Sequence, residues 1–386
     1  MNRTHLWHGF VLALILTVFL KIALTVIGVN LARYFTQIPL TVSQMDLAQM
    51  IPLDKNTPWY FLAQPFYRFD AIWYEAVAQT NYAGLPSATP FFPLYPWTVK
   101  LLSNIFNCPF YVIAFFFNTF LTFFVFFLFY LLVSLEEKKE VAHKAVVFLA
   151  FFPTAFFFLA PYAEVMLLSF FFVSLIFMKK RFYLLSFVFG FLAAMTKPYG
   201  FLVAVPLVVA ALLEKEKSEK IKRLLFAGLI PLGTLLIFYF QNKMIIQTPL
   251  AVMEGLSSWH MDFVNPIKSI IGSLIIFMKN PFDLPNDLNL FSIGGVIVFL
   301  IYYRSKMERG YWWYTLALLL LFASYQVAES KMPLKSFARY FLTLFPVFIA
   351  LAKTRMSNII YILYIASGMF LMTFFFIYFV FGFFVF

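Results

Sequence analysis

The chain is 386 residues long, 63% hydrophobic and only 12% charged, with a mean hydropathy of +0.87. So little charge over that length excludes a soluble enzyme and leaves a polytopic, all-α membrane protein. The net charge of +12 does not indicate nucleic acid, because the lysines and arginines sit in short connections between apolar runs, the pattern that orients membrane proteins. The single Cys108 excludes an intramolecular disulfide and a cysteine zinc site, and the four histidines (His5, His8, His143 and His260) lack metal-ligand spacing.

A short basic leader precedes an apolar run over residues 9–29, interrupted by Lys21. It exceeds a signal-peptide core, lacks a small-residue cleavage site, and reads as a retained first spanning helix. Residues 30–90 form a long first outer loop, broken by Pro39, Pro52, Pro58 and Pro65. Within it, 71–79 reads as a short amphipathic helix with Trp73, Tyr74 and Val77 on an interfacial face. Residues 91–106 are apolar but carry Pro93, Pro96 and Lys100, which suits a re-entrant or interfacial segment better than a span. Strong apolar runs recur at 110–135, 141–160, 162–178, 182–196, 199–213, 222–241, 287–303, 311–327, 337–352 and 358–385. A weaker run at 266–278 reads as interfacial. Several fall short of the roughly 20 residues that a straight span needs, which predicts tilted or broken helices.

Charged connections punctuate these runs at 136–140, 179–181, 214–223, 304–309 and 353–355. With 91–106 and 266–278 not spanning, the positive-inside rule places all of their basic residues on the cytoplasmic side together with Arg3. The opposite face collects Asp70, the Ala160-Pro161-Tyr162-Ala163-Glu164 turn, Thr196-Lys197-Pro198-Tyr199-Gly200, the 242–265 loop and residues 329–340. About eleven spans in a single membrane domain over 1–386 follow from this sorting.

The chemistry centres on Tyr67-Arg68-Phe69-Asp70-Ala71-Ile72-Trp73-Tyr74. A carboxylate at the mouth of a membrane bundle is costly without a task, and Asp70 reads as the general base of a glycosyl transfer on the non-cytoplasmic face. Nucleotide sugars are normally absent there, so the sugar must arrive on a lipid phosphate, which departs as a stable anion. One carboxylate is then enough, unlike glycoside hydrolysis, where an acid must also protonate the leaving oxygen. The outward-facing cations Arg68, Lys197, Lys335 and Arg339 are candidates for the phosphate, Arg339 first because its planar fork suits phosphate. An orienting role for Arg68 stands beside the phosphate contact.

Each residue has a plainer reading. Asp70 is a good helix N-cap for the segment from Ala71. Glu164 is suited to pairing with a neighbouring cation, Lys197 to snorkelling, and Arg339 to flanking the membrane. Trp73, Tyr74, Tyr82 and Tyr95 fit an interfacial belt better than sugar-stacking platforms. His260, after Ser257-Ser258-Trp259, is a candidate donor or acceptor contact, and Lys21 requires a partner or a cavity. No Asp-x-Asp pair lies on the outer face, so no cofactor or divalent metal is indicated.

Together these motifs resemble the PIG-V-type mannosyltransferase family, which adds mannose during GPI-anchor assembly, has prokaryotic relatives and belongs to the GT-C integral-membrane glycosyltransferases. The Tyr67–Tyr74 stretch is similar to the family's Arg-Trp-Asp-Ala-x-Trp-Tyr, and Pro90-Phe91-Phe92-Pro93-Leu94-Tyr95-Pro96 to its Phe-Phe-Pro-x-x-Pro. Further similarity lies in Phe152-Pro153-Thr154-Ala155, in 160–164 and in Phe337-Ala338-Arg339-Tyr340. Phe69 stands where the family has Trp, Asn81-Tyr82 where Gly-Tyr is common, and 196–200 replaces an Arg-Ser-Asn-Gly-like segment. The resemblance implies a GT-C bundle and inverting transfer of mannose from a polyprenyl-phosphate donor to a glycolipid or other glycan acceptor, with Asp70 as base. The candidate donor-phosphate and substrate contacts are Arg68, Lys197, Arg339, Tyr340, Glu164, Tyr162, Trp73 and His260. The location it implies is the plasma membrane, or the lumenal face of the endoplasmic reticulum in a eukaryote. A different polyprenyl-phosphate sugar keeps the same fold, and a lipid or sugar flippase is the rival class. A flippase predicts internally repeated halves, which the sequence lacks.

Overall fold

The computed structural model describes residues 3–34, 57–243, 251–259, 261–327 and 333–383. His260 and residues 35–56 of the expected outer loop lie outside that set. The described chain is almost entirely helical, with one two-stranded antiparallel pairing of Met261–Phe263 with Tyr325–Val327.

Five helices among the described residues are long and apolar enough to cross a membrane: Arg3–Arg33, Phe110–Ser134, Lys217–Gln241, Leu284–Tyr302 and Asn358–Val380. The other expected runs are shorter or broken, so eleven full-length spans are not seen among the described residues. The 141–160 run is a helix only over Lys139–Ala150, then a tight 3-10 turn at Ala155–Phe158. The 199–213 run divides into a 3-10 segment, Pro198–Val203, and a helix, Ala204–Leu212. The 337–352 run contains three pieces, Phe337–Tyr340, Phe341–Thr343 and Phe345–Lys353. Prolines at 153, 206 and 346 lie at these breaks, where each removes a ladder donor and restricts the residue before it. Leu94–Phe106 has 13 residues and Pro266–Lys279 has 14. At 1.5 Å per residue both are about 20 Å long, too short for a hydrocarbon core of about 30 Å.

By its contacts the chain divides into two compact units. The first draws on Met1–Tyr82, Phe91–Phe172 and Leu351–Phe384. Its amino-terminal helix buries Ala13, Leu16, Leu20 and Leu24, a stripe at helical spacing, and leaves Ile15, Val18, Phe19, Ile22 and Val26 exposed. Lys21, in mid-helix, finds its partners in this unit. Its Nζ donates to Phe115 O (3.3 Å) and Leu159 O (3.4 Å) and lies over the faces of Phe115 and Phe66. In the carboxy-terminal helix, a Cβ at Gly368 would stand 2.0 Å from the carbonyl oxygen of Phe151, so only glycine permits this approach. Lys353 pairs with Glu137 at 2.6 Å, joining two connections that the charge rule assigns to one side.

The second unit draws on Ala83–Pro90 and Val173–Ala350. Its basic connections also meet, through Lys179 with Glu308 (3.1 Å), Arg223 with Glu214 (3.0 Å) and Arg181 with Glu219 (3.9 Å). At other points buried amides tie segments to backbone carbonyls and amides. Gln241 Nε2 donates to Thr89 O at 2.8 Å, and Asn289 Oδ1 accepts from Ala338 N at 2.9 Å.

Candidate functional site

In the first unit, Asp70 opens the helix Asp70–Thr80 as its first residue. The cap is Phe69, at φ 50° and ψ −114°, with no side-chain capping bond, so the reading of Asp70 as N-cap is corrected. A bulky side chain at positive φ is a strained conformation that persists only where the surroundings over-determine it. The surroundings here are explicit. Arg68, only 3% exposed, donates Nε to Val380 O (3.0 Å) and Nη1 to Gln64 O (3.1 Å) and Tyr67 O (2.9 Å). Tyr162 Oη donates to Arg68 O at 3.4 Å, and the same carbonyl receives Ala71 N at 3.1 Å. Arg68 is thereby an orienting bracket, and burial brings its guanidinium down to about 10, still cationic at neutral pH.

The helix itself is more deeply placed than its sequence suggests. Ala71 through Ala78 are all buried, and Trp73, Tyr74, Tyr82 and Tyr95 are core residues, a correction to the interfacial belt. Trp73 stacks on Phe91 at 5.7 Å, Tyr74 meets Tyr95 edge-on at 4.9 Å, and Tyr82 Oη donates to Phe91 O at 2.7 Å. The helix packs against Leu94–Phe106 and Phe110–Ser134. Lys100 Nζ donates to Ala78 O (2.6 Å) at the helix's last turn. Carboxylate at one end and ammonium at the other both complement the helix dipole.

Glu164 is fully buried as the first residue of Glu164–Lys179. Its carboxylate acts on Tyr95, whose hydroxyl is raised well above its ordinary range by burial first and by Glu164 second. Asn118, buried on the helix Phe110–Ser134, joins Tyr95 to the segment that precedes Glu164. Its Oδ1 accepts from Tyr95 Oη at 2.6 Å, and its Nδ2 donates to Ala160 O and, at 2.9 Å, to Tyr162 O. Asp70, Arg68, Trp73, Tyr162 and Glu164 thus share one polar and aromatic framework.

Glu75 was not singled out by sequence reading and belongs to the same framework. It is 6% exposed, accepts a short hydrogen bond from Tyr67 Oη, and is raised to about 7. Burial is the cause, opposed by hydrogen bonds from Tyr67 and Gln79. The signal was present: Glu75 is the one charged residue between Asp70 and Lys100.

The second unit holds Lys197, Arg339 and Tyr340. Lys197 is 5% exposed, so its ammonium does not snorkel into open solvent. Arg339 is 6% exposed, donates Nη2 to Tyr340 Oη (2.9 Å) and lies over that ring. Tyr340 stacks on Phe322 at 4.3 Å and meets Tyr199 at 5.7 Å, which draws the Lys197 and Arg339 segments together. Lys335 lies over the Trp259 ring at 5.6 Å.

These features define an all-α protein with several helices suited to a membrane. No protein-family model, curated protein or solved structure matches the chain.

Proposed function

We propose that the protein is a membrane glycosyltransferase of the PIG-V-like, GT-C type, moving mannose from a polyprenyl phosphate to a hydroxyl on a glycolipid or other glycan, with Asp70 as general base on the non-cytoplasmic face. The supporting observation is the placement of Asp70. Of the three carboxylates in its framework, Glu164 and Glu75 are buried, and only Asp70 is partly open. It follows a strained residue that Arg68 and Tyr162 hold in place, as expected of a functional position.

In this reading Asp70 takes the proton of the acceptor hydroxyl as its oxygen attacks the anomeric carbon. The bond from that carbon to the phosphate oxygen breaks on the opposite face, and the polyprenyl phosphate leaves as an anion. Base catalysis of this kind contributes typically about 10²–10⁴-fold.

The test is transfer from radiolabelled polyprenyl-phosphate mannose to host membrane lipids by the purified protein, comparing wild type with Asp70→Asn. Asparagine keeps the size and removes the basicity. Wild-type transfer that falls by about 10²-fold or more in a folded, donor-binding variant supports the assignment. Equal rates remove Asp70 from the chemistry. Transfer from glucose or pentose donors alone changes the sugar, and no transfer from any donor favours a flippase.

A further inference from the structure

The carboxy-terminal helix Asn358–Val380 ends where Val380 O receives Arg68, and begins in a separate cleft. At 1.5 Å per residue the two ends are roughly 33 Å apart, so this cleft is distinct from the Asp70 framework. Its volume is about 370 Å³, and His8, Lys139, Glu140, His143, Lys144 and Asn358 line it. We propose that this cleft binds a phosphoryl group.

Three kinds of donor converge there from separate helices. Lys139 and Lys144 bring two ammonium groups, with Lys144 Nζ 6.0 Å from the Tyr361 ring. Lys139 and Asn358 are the first residues of their helices, where first-turn amides lack intrahelical acceptors, although the Ser357 hydroxyl accepts from Ile360 N. His8 Nε2 lies 3.1 Å from His143 Nδ1, a distance at which one imidazole donates to the other. Whichever ring donates in the neutral pair, one outer nitrogen, His8 Nδ1 or His143 Nε2, carries an N–H and is a donor. Glu140 is the one opposing charge among the lining residues. Several donors from different directions match a tetrahedral dianion better than a planar carboxylate. The volume falls at the small end of ligand pockets, enough for a phosphorylated headgroup.

The experiment uses the full chain in two arms. In neutral detergent, inorganic phosphate is titrated with acetate as control. In phosphatidylcholine nanodiscs, phosphatidate is titrated against phosphatidylcholine alone. Saturable binding is expected in at least one arm: the first identifies a soluble phosphoryl ligand, the second alone a lipid headgroup. Lys139→Gln with Lys144→Gln should weaken it at least tenfold, and Glu140→Gln should strengthen it. These side chains lie at the surface or half-buried, so the fold is retained. No saturation in either arm, undiminished affinity in the lysine variant, or weaker binding by Glu140→Gln overturns the proposal.

Discussion

Replacing Glu75 by glutamine should make the protein's stability less dependent on pH. Burial lifts the carboxyl from 4.5 to about 7. Between those values the folded protein keeps the proton while the unfolded chain has released it. The unfolded state therefore binds fewer protons, and stability falls as pH rises through the window. At about 1.4 kcal/mol per pH unit, the loss is about 3 kcal/mol, complete above pH 7 and absent below 4.5. Glutamine keeps an acceptor for Tyr67 Oη and has no proton to lose. Unfolding by dodecyl sulfate in mixed micelles, at pH values from 5 to 8, reads the difference between variant and wild type. The variant should gain on wild type by about 2.5 kcal/mol across that range. A difference that stays constant, or that shrinks as pH rises, refutes the burial account of Glu75.

Asn118→Ala leaves one hydroxyl and two carbonyls without their bonds and should cost about 3–5 kcal/mol in the same unfolding assay. Gly368→Ala drives a Cβ against the Phe151 carbonyl and should destabilise by about 3 kcal/mol. Gly294→Ala, with open space around it, should be neutral or stabilise by about 1 kcal/mol, since alanine favours the helix. Arg68→Lys preserves the charge but loses the fork that reaches Gln64, Tyr67 and Val380. Thermal unfolding should show a loss of about 2 kcal/mol, and under the proposed function mannosyl transfer should drop at least tenfold.

The long spans at 110–134 and 358–380 were legible because unbroken apolar composition is enough to specify them. The pairing of Lys179 with Glu308 was legible as sidedness, since the charge rule groups those connections before any contact is known. The burial of Tyr74 and Tyr95 was not. An aromatic residue with a polar tip suits a wet interface and a hydrogen-bonded core equally, and only Asn118 and the helices around it decide between them. The strained turn at Phe69 left no trace in the sequence either, because positive φ is normally advertised by glycine or asparagine. Lys21 announced the need for a partner, but its partners are backbone carbonyls and aromatic faces, which carry no charge signal.

The bond from Arg68 to Val380 spans 312 residues of sequence. At about 5–20 residues per second, synthesis of that interval takes roughly 15–60 s. During that time the segment before Asp70 lacks one of the groups that hold it. A ribosome that stalls within the carboxy-terminal helix would release a chain with most of its helices and an unbraced Asp70 turn. Completion of the turn is thus tied to synthesis of the helix that carries Val380.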